Sequence, residues 1–114
     1  APGDLPARAN VAALKMLGVT DVLSISAVGS FREEMAPGHL VVVDQAVDRT
    51  QGRPASFFGT GCVAHVSLAR PTCPRLSAAA ADAAEAAGAT VHRTGTYLCI
   101  EGPQFSTRAE SRLW

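Results

Sequence analysis

The sequence predicts an α/β fold. Two helical patterns, 7–17 and 74–87, each end at a glycine, and each is followed by a short apolar run. A third apolar run, Leu40–Val47, has no polar alternation, which is typical of a strand covered on both faces of a sheet. Helices that alternate with buried strands are the pattern of an α/β domain.

The first helix is predicted over Ala7–Leu17, with Pro6 at its entry and Gly18 after its end. Its apolar residues recur at helical spacing. A short buried strand is then expected over Val22–Ser26, followed by a turn of small residues from Ala27 to Ser30.

Phe31–His39 is predicted to be a loop with a Pro-Gly turn, and Leu40–Val47 is the clearest strand. The segment 48–61 is polar and rich in glycine and proline, so we expect a long excursion. Loops of that length are often functional.

The second helix is predicted over Pro74–Ala87, with Thr72 or Cys73 as its cap, Pro74 as its first residue and Gly88 after its end.

Candidate strands follow at Thr90–His92 and Thr96–Ile100. A third helix is expected to begin near Ser106 or Thr107, where Glu110 is placed to complete a capping box with Thr107.

Composition excludes several classes of protein. The 114 residues carry no formal net charge, with scattered lysine and arginine, so a basic nucleic-acid footprint and a polybasic membrane patch are both absent. No apolar run is long enough for a membrane span, and the first residues do not resemble a signal peptide. The spacing of Cys62, Cys73 and Cys99 fits no zinc site, so we expect reduced thiols in a cytoplasmic protein. No metal, dinucleotide or triphosphate motif is present.

The first candidate for chemistry is the end of the predicted strand at Ser26 and Ala27. Small residues at the carboxyl edge of an α/β strand allow close approach of an anion, and consecutive N–H groups form an anion nest. This pattern is consistent with phosphate binding, although an ordinary tight turn has the same composition.

The second candidate is the segment that runs from Gly95 into the third helix. Its Gly102-Pro103 pair forces a sharp turn, which places Phe105 at a strand-to-helix junction. An aromatic ring at that point can stack on a flat heterocycle, or it can serve as a hydrophobic staple on the helix. His65 lies on a strand-like stretch, where an edge histidine with satisfied hydrogen bonds is the simplest interpretation.

Four stretches together resemble the methylthioadenosine/purine nucleoside phosphorylase family. They are 8–15, 26–38, 40–50 and 95–112, in the order in which the family has them, and they extend over essentially the whole chain. The resemblance implies an α/β fold with a mixed central β-sheet and flanking helices, incomplete here. It also implies that residues 1–114 are the central part of a single phosphorylase domain, truncated at both ends.

The resemblance implies phosphorolysis, in which inorganic phosphate displaces the purine from C1′ of the ribose. Ser26 and Ala27 would bind phosphate and the ribose edge, and Phe105 would stack on the purine. His65 would reach the 5′ substituent in a neighbouring subunit of a homotrimer. No metal or organic cofactor is implied, and the partners are a purine nucleoside and phosphate.

Ser106 bears on the choice of base. Family members that take 6-oxopurines carry a glutamate at this position, where it accepts the proton on N1. A neutral hydroxyl fits the unprotonated N1 of adenine, so the resemblance favours 5′-methylthioadenosine, with methylthioinosine or other purine nucleosides as the alternative.

Some expected parts are absent or differ. Ser26 and Val28 stand where members often have threonine and cysteine. The Gly-rich and Arg-His phosphate segments expected upstream, and the methionine and the base-protonating aspartate expected downstream, are not in this sequence, so the catalytic residues are expected outside it. A nucleoside-binding module without catalytic activity is therefore an alternative, and a generic nucleotide-binding half-domain is a third interpretation.

Overall fold

The structure is a computed structural model that describes residues 2–114. After a short 3-10 turn at Pro2–Asp4, helices and strands alternate along the chain. In order they are α1 (Ala7–Met16), β1 (Leu40–Val41), β2 (Gln45–Arg49), α2 (Pro74–Ala86), β3 (Val91–His92), β4 (Thr96–Ile100) and α3 (Arg108–Leu113). The predicted α/β organisation is therefore present.

The three helices agree with the sequence prediction to within one or two residues. Gly18 and Gly88 follow α1 and α2 with φ of +74° and +85°, a left-handed conformation that only glycine adopts at little cost. Pro74 lies at the start of α2, as predicted, but its N-cap residue Cys73 makes no side-chain cap hydrogen bond. Pro6 is the N-cap of α1 and not its first helical residue.

The strands form two parallel ladders. Leu40 pairs with Val91 in the β1–β3 ladder, and Gln45 pairs with Thr96 in the β2–β4 ladder, which continues to the pair Arg49 and Ile100. The paired residues are separated by the same number of residues in both ladders, so the two ladders keep one register. α2 packs against β3 and lies in the connection that parallel strands require.

The prediction of one continuous strand over 40–47 is wrong, because the ladder is interrupted between Val41 and Gln45. Asp44 replaces the regular pairing there. Its carboxylate accepts a hydrogen bond from the N–H of Gly95 at 3.0 Å, and its own N–H donates to the carbonyl of Gly95 at 3.1 Å. The prediction that both faces are covered is also wrong for this chain, because β2 is exposed along its whole length.

The prediction of a strand over 22–26 is wrong as well. This segment is neither helix nor strand, and its apolar side chains are exposed. A strand requires a hydrogen-bonded neighbour, and none of β1 to β4 pairs with it. The loop predicted at 31–39 and the long excursion after β2 are both present.

Gly95 is the position where the two ladders meet, and it allows a close approach. A Cβ atom added there would lie 2.5 Å from Cγ1 of Val41. We therefore expect Gly95→Ala to lower the free energy of unfolding by about 1–3 kcal/mol, the usual effect of overpacking. Thermal or urea unfolding of the purified protein measures this change.

Gly59→Ala is the matched control, because no heavy atom lies within 4 Å of its added Cβ and its φ is not positive. Adding Val41→Ala to Gly95→Ala should recover part of the loss. Equal stabilities of the Gly95→Ala and Gly59→Ala variants would show that the Val41 contact does not restrict this site.

Candidate active site

The turn between β4 and α3, residues 101–107, ends at the N-cap of α3. Gly102 has φ of +70°, so the sharp turn predicted at Gly102-Pro103 requires a glycine. Thr107 is the N-cap of α3 and forms the predicted capping box with Glu110. The Thr107 side chain accepts from the N–H of Glu110 at 3.2 Å, and the Glu110 carboxylate accepts from the N–H of Thr107 at 2.7 Å.

The same contact lowers the pKa of Glu110, since the backbone N–H of Thr107 stabilises the ionised carboxylate. The Glu110 carboxylate of the capping box is therefore ionised at neutral pH. The two residues directly before this cap are Phe105 and Ser106, which the family resemblance assigned to the purine site.

Phe105 presents its ring to solvent. Its side chain is 92% exposed, and it makes none of the ring contacts found in the described part of the chain. A hydrophobic staple would be covered by the helix that it packs on, so this exposure contradicts the staple interpretation. The ring is free to stack on a planar ligand.

Ser106 is half-buried and makes one hydrogen bond, from its Oγ to Oγ of Ser111 at 2.8 Å. Ser111 lies on α3, and its hydroxyl also donates to the carbonyl of Thr107 at 2.9 Å. The Ser106 side chain is therefore held against the first turn of α3, and the residue before it in the chain is the exposed Phe105.

Glu101 anchors this turn to the loop that follows β2. Its carboxylate accepts from the N–H of Gln51 at 2.6 Å and from Nε of Arg53 at 3.3 Å, and Nη2 of Arg53 also donates to the Glu101 carbonyl at 3.0 Å. Sequence reasoning missed this contact. The sequence carries no local signal for it, because the contact follows from the register of the β2–β4 ladder, in which Arg49 lies opposite Ile100.

Ser26 and Ala27 lie on the exposed segment between α1 and β1. Within the described residues their backbone N–H groups make no hydrogen bond, so both are open to an anion. The turn that follows is closed by Ser30, whose Oγ accepts from the N–H of Arg32 at 3.0 Å. In residues 2–114 no hydrogen bond joins this segment to the turn at 101–107.

His65 is exposed and lies in a stretch that is neither helix nor strand, so the strand-like interpretation of this stretch is wrong. Its imidazole has no hydrogen-bond partner in the described chain, which removes the interpretation of a satisfied edge histidine.

Two clefts in the described part of the chain are lined by other residues than the predicted ones. A cleft of about 450 Å³ opens between the start of α2 and β2, and one of about 180 Å³ lies between α1 and the loop at 54–57. Neither cleft is lined by Ser26, Ala27, His65, Phe105 or Ser106.

Three further observations concern the described residues. They contain no group of three potential metal-ligating side chains, and Cys62, Cys73 and Cys99 are free. Among the helices of residues 2–114, none has both the length and the hydropathy that a membrane crossing needs.

The turn that carries Phe105 and Ser106 follows the carboxyl end of the parallel strand β4, the edge at which open α/β sheets bind ligands. The family model of the phosphorylase superfamily matches residues 4–114, so the chain belongs to this superfamily. The family resemblance seen in the sequence is thereby confirmed.

The relatives make the comparison more specific. The chain is 68% identical over 113 residues to the S-methyl-5′-thioadenosine phosphorylase of Cereibacter sphaeroides and 61% identical over 113 residues to that of Bradyrhizobium diazoefficiens. In each case the match includes 99% of this chain and 39% of the relative. The chain thus spans about two fifths of the length of the curated relatives it matches.

A solved structure has the same fold. The methylthioadenosine phosphorylase from Schistosoma mansoni in complex with adenine superposes with a TM-score of 0.91 at 35% identity, over 98% of this chain and 48% of that one. The predicted nucleoside phosphorylase-like fold class is therefore confirmed.

The Glu101 anchor generates a prediction. In Glu101→Ala the N–H of Gln51 loses its acceptor, so we expect faster amide hydrogen exchange in a peptide that contains residues 50–58. Glu33→Ala, which removes an exposed carboxylate from the loop before β1, is the control. Mass spectrometry after deuterium labelling measures the exchange, and unchanged protection in Glu101→Ala would mean that other contacts hold this loop.

Proposed function

We propose that the protein containing this chain is a phosphorylase that converts 5′-methylthioadenosine and phosphate to adenine and 5-methylthioribose 1-phosphate, in purine and methionine salvage. A phosphate oxygen forms a bond to C1′ as the C1′–N9 bond breaks, and the departing base takes up a proton. The observation that carries the proposal is the open ring of Phe105 beside Ser106 on a capped turn, in a chain whose relatives carry the name of this activity.

In this proposal Phe105 binds the purine by stacking. Its exposure supports the role, because an aromatic side chain that is 92% exposed can offer a ring face to a ligand. Ser106 faces the edge of the base, where N1 and the substituent on C6 differ between adenine and 6-oxopurines. Both residues bind and orient the base.

Ser26 and Ala27 are proposed to bind phosphate and the ribose edge through the Ser26 hydroxyl and backbone N–H groups. Following the family resemblance, we assign neutralisation of the phosphate charge and protonation of the base to residues outside this chain. No metal or organic cofactor takes part in the proposed reaction.

We also propose that the chain is the central part of one phosphorylase domain. Ala81 is the only apolar residue of the described chain that is fully buried, and the radius of gyration is 16.3 Å, against about 13 Å for a compact domain of this length. Apolar side chains left open, such as Val22, Leu23 and Ile25, would be covered by the rest of the domain.

The role proposed for His65 involves a second subunit. Its imidazole is exposed and free of described hydrogen bonds, which is consistent with a contact to a second subunit. We propose a cytoplasmic homotrimer in which His65 approaches the 5′ substituent of a nucleoside bound in the neighbouring subunit.

The activity is tested in the full-length protein. This is either the chain within its own flanking sequence, or a chimera in which the chain replaces the matching segment of the C. sphaeroides relative. It should release adenine from methylthioadenosine only when phosphate is present. The 114-residue chain alone should be inactive, since each missing electrostatic contribution supplies on the order of 3 kcal/mol. Release by the chain alone would overturn the assignment of the catalytic groups, and a full-length protein that binds but does not cleave would be a binding module.

Phe105→Ala in the full-length protein should weaken nucleoside binding by roughly 1–3 kcal/mol, the range for loss of stacking on a base. Phosphate binding should change less, and stability should change by less than about 0.5 kcal/mol because the side chain is exposed. Titration calorimetry with each ligand separates these effects.

Phe58→Ala is the matched control, an exposed phenylalanine of the long loop. Equal losses of affinity for nucleoside and phosphate in Phe105→Ala would indicate that the ring only supports the local structure.

The choice of base is tested at Ser106. The full-length protein should have a higher kcat/KM for methylthioadenosine than for methylthioinosine, and Ser106→Glu should shift this preference toward methylthioinosine. An ionised carboxylate opposite the unprotonated N1 of adenine is unpaired, which costs roughly 1–3 kcal/mol. A wild-type preference for methylthioinosine would contradict the substrate, and unchanged relative rates in the variant would show that position 106 does not contact the base.

A further inference from the structure

Two contacts of the Ser111 hydroxyl restrict the directions that two hydroxyl hydrogens can take. Oγ of Ser111 lies 2.9 Å from the carbonyl oxygen of Thr107 and 2.8 Å from Oγ of Ser106. A carbonyl can only accept, and a serine hydroxyl has one hydrogen. When the hydrogen of Ser111 points to Thr107, the contact between the two serines can form only if Ser106 donates.

We infer that Ser111 is a positioning residue that holds the hydroxyl hydrogen of Ser106 away from the ligand, so that Ser106 presents only lone pairs to the base. The alternative arrangement, in which Ser111 donates to Ser106, leaves the Ser111–Thr107 contact without a hydrogen. When Ser106 donates to Ser111 and Ser111 donates to the Thr107 carbonyl, both contacts are hydrogen bonds. Successive hydrogen bonds of this kind strengthen each other.

The acceptor at the end of this chain is fixed by the start of α3. The carbonyl of Thr107 also accepts from the backbone N–H of Ser111 at 2.9 Å, and its two lone pairs serve the two donors. The capping box between Thr107 and Glu110 holds the same turn. Ser106 makes no other hydrogen bond in the described chain, so nothing competes for its hydrogen.

The consequence for the base rests on the proposed function, in which Ser106 faces N1 of the purine. N1 of a 6-aminopurine is an acceptor, and a hydroxyl whose hydrogen is committed to Ser111 cannot donate to it. N1–H of a 6-oxopurine is a donor, which the lone pairs of Ser106 can accept. A Ser106 hydroxyl held in this way therefore favours the N1–H of a 6-oxopurine over the N1 of a 6-aminopurine, and a preference for 6-aminopurines must come from other groups.

The test is Ser111→Ala in the full-length protein. Without its acceptor the Ser106 hydroxyl can rotate and donate to N1 of a 6-aminopurine. We expect the ratio of kcat/KM for methylthioadenosine to that for methylthioinosine to rise by roughly three- to tenfold, the effect of one net hydrogen bond. A purely structural role of Ser111 would lower both values together and leave the ratio unchanged.

Two matched variants isolate the effect. Ser111→Thr keeps a hydroxyl that can bond to the carbonyl four residues earlier, so it should retain the wild-type ratio. In a Ser106→Ala background, Ser111→Ala should leave the ratio unchanged, since no hydroxyl remains to be oriented. An unchanged ratio in Ser111→Ala alone, or an equal change in the Ser106→Ala background, would overturn the inference.

A neutron structure of the ligand-free full-length protein tests the hydrogen position independently of activity. The deuterium on Ser106 Oγ should point to Ser111 Oγ, and a deuterium directed away from Ser111 would overturn the inference even if the phosphorylase activity is present. Absence of phosphate-dependent cleavage in the wild type would instead contradict the proposed function, with the hydrogen position still decided by the neutron structure.

Discussion

The parallel ladder between β2 and β4 is the contact on which the candidate site depends. Because Arg49 lies opposite Ile100, the loop after β2 runs beside the turn after β4, and Glu101 can accept hydrogen bonds from Gln51 and Arg53. The guanidinium of Arg49 also lies over the ring of Trp114, at 5.4 Å, next to the end of α3. The five residue pairs of this ladder thus determine where the loop, the turn and the third helix meet.

The features that the sequence predicted well are those that depend on a few neighbouring residues. The left-handed Gly18 and Gly88 end their helices, and Thr107 and Glu110 cap each other, without help from the rest of the chain. Features that depend on distant partners could not be read in this way. A strand over 22–26 needs a neighbour that β1 to β4 do not provide.

The same distinction between local and long-range features applies to the candidate site. The turn that carries Phe105 and Ser106 was found from its sequence, whereas the choice between a staple and an open ring required the observed exposure of Phe105. The direction of the Ser106 hydrogen follows from Ser111, five residues later on a helix, which the sequence did not single out. The roles of Ser26, Ala27 and His65 came from family resemblance, because their proposed partners are a ligand and another subunit.

The central claim is that the turn at 101–107 is the purine-binding element of a phosphorylase. A crystal structure of the full-length protein with methylthioadenosine, and with sulfate in place of phosphate, tests it most directly. The account predicts a purine ring stacked on Phe105, with ring centroids roughly 4.5–7 Å apart, and a base edge at Ser106. A purine bound elsewhere, with Phe105 still open to solvent, would contradict the claim.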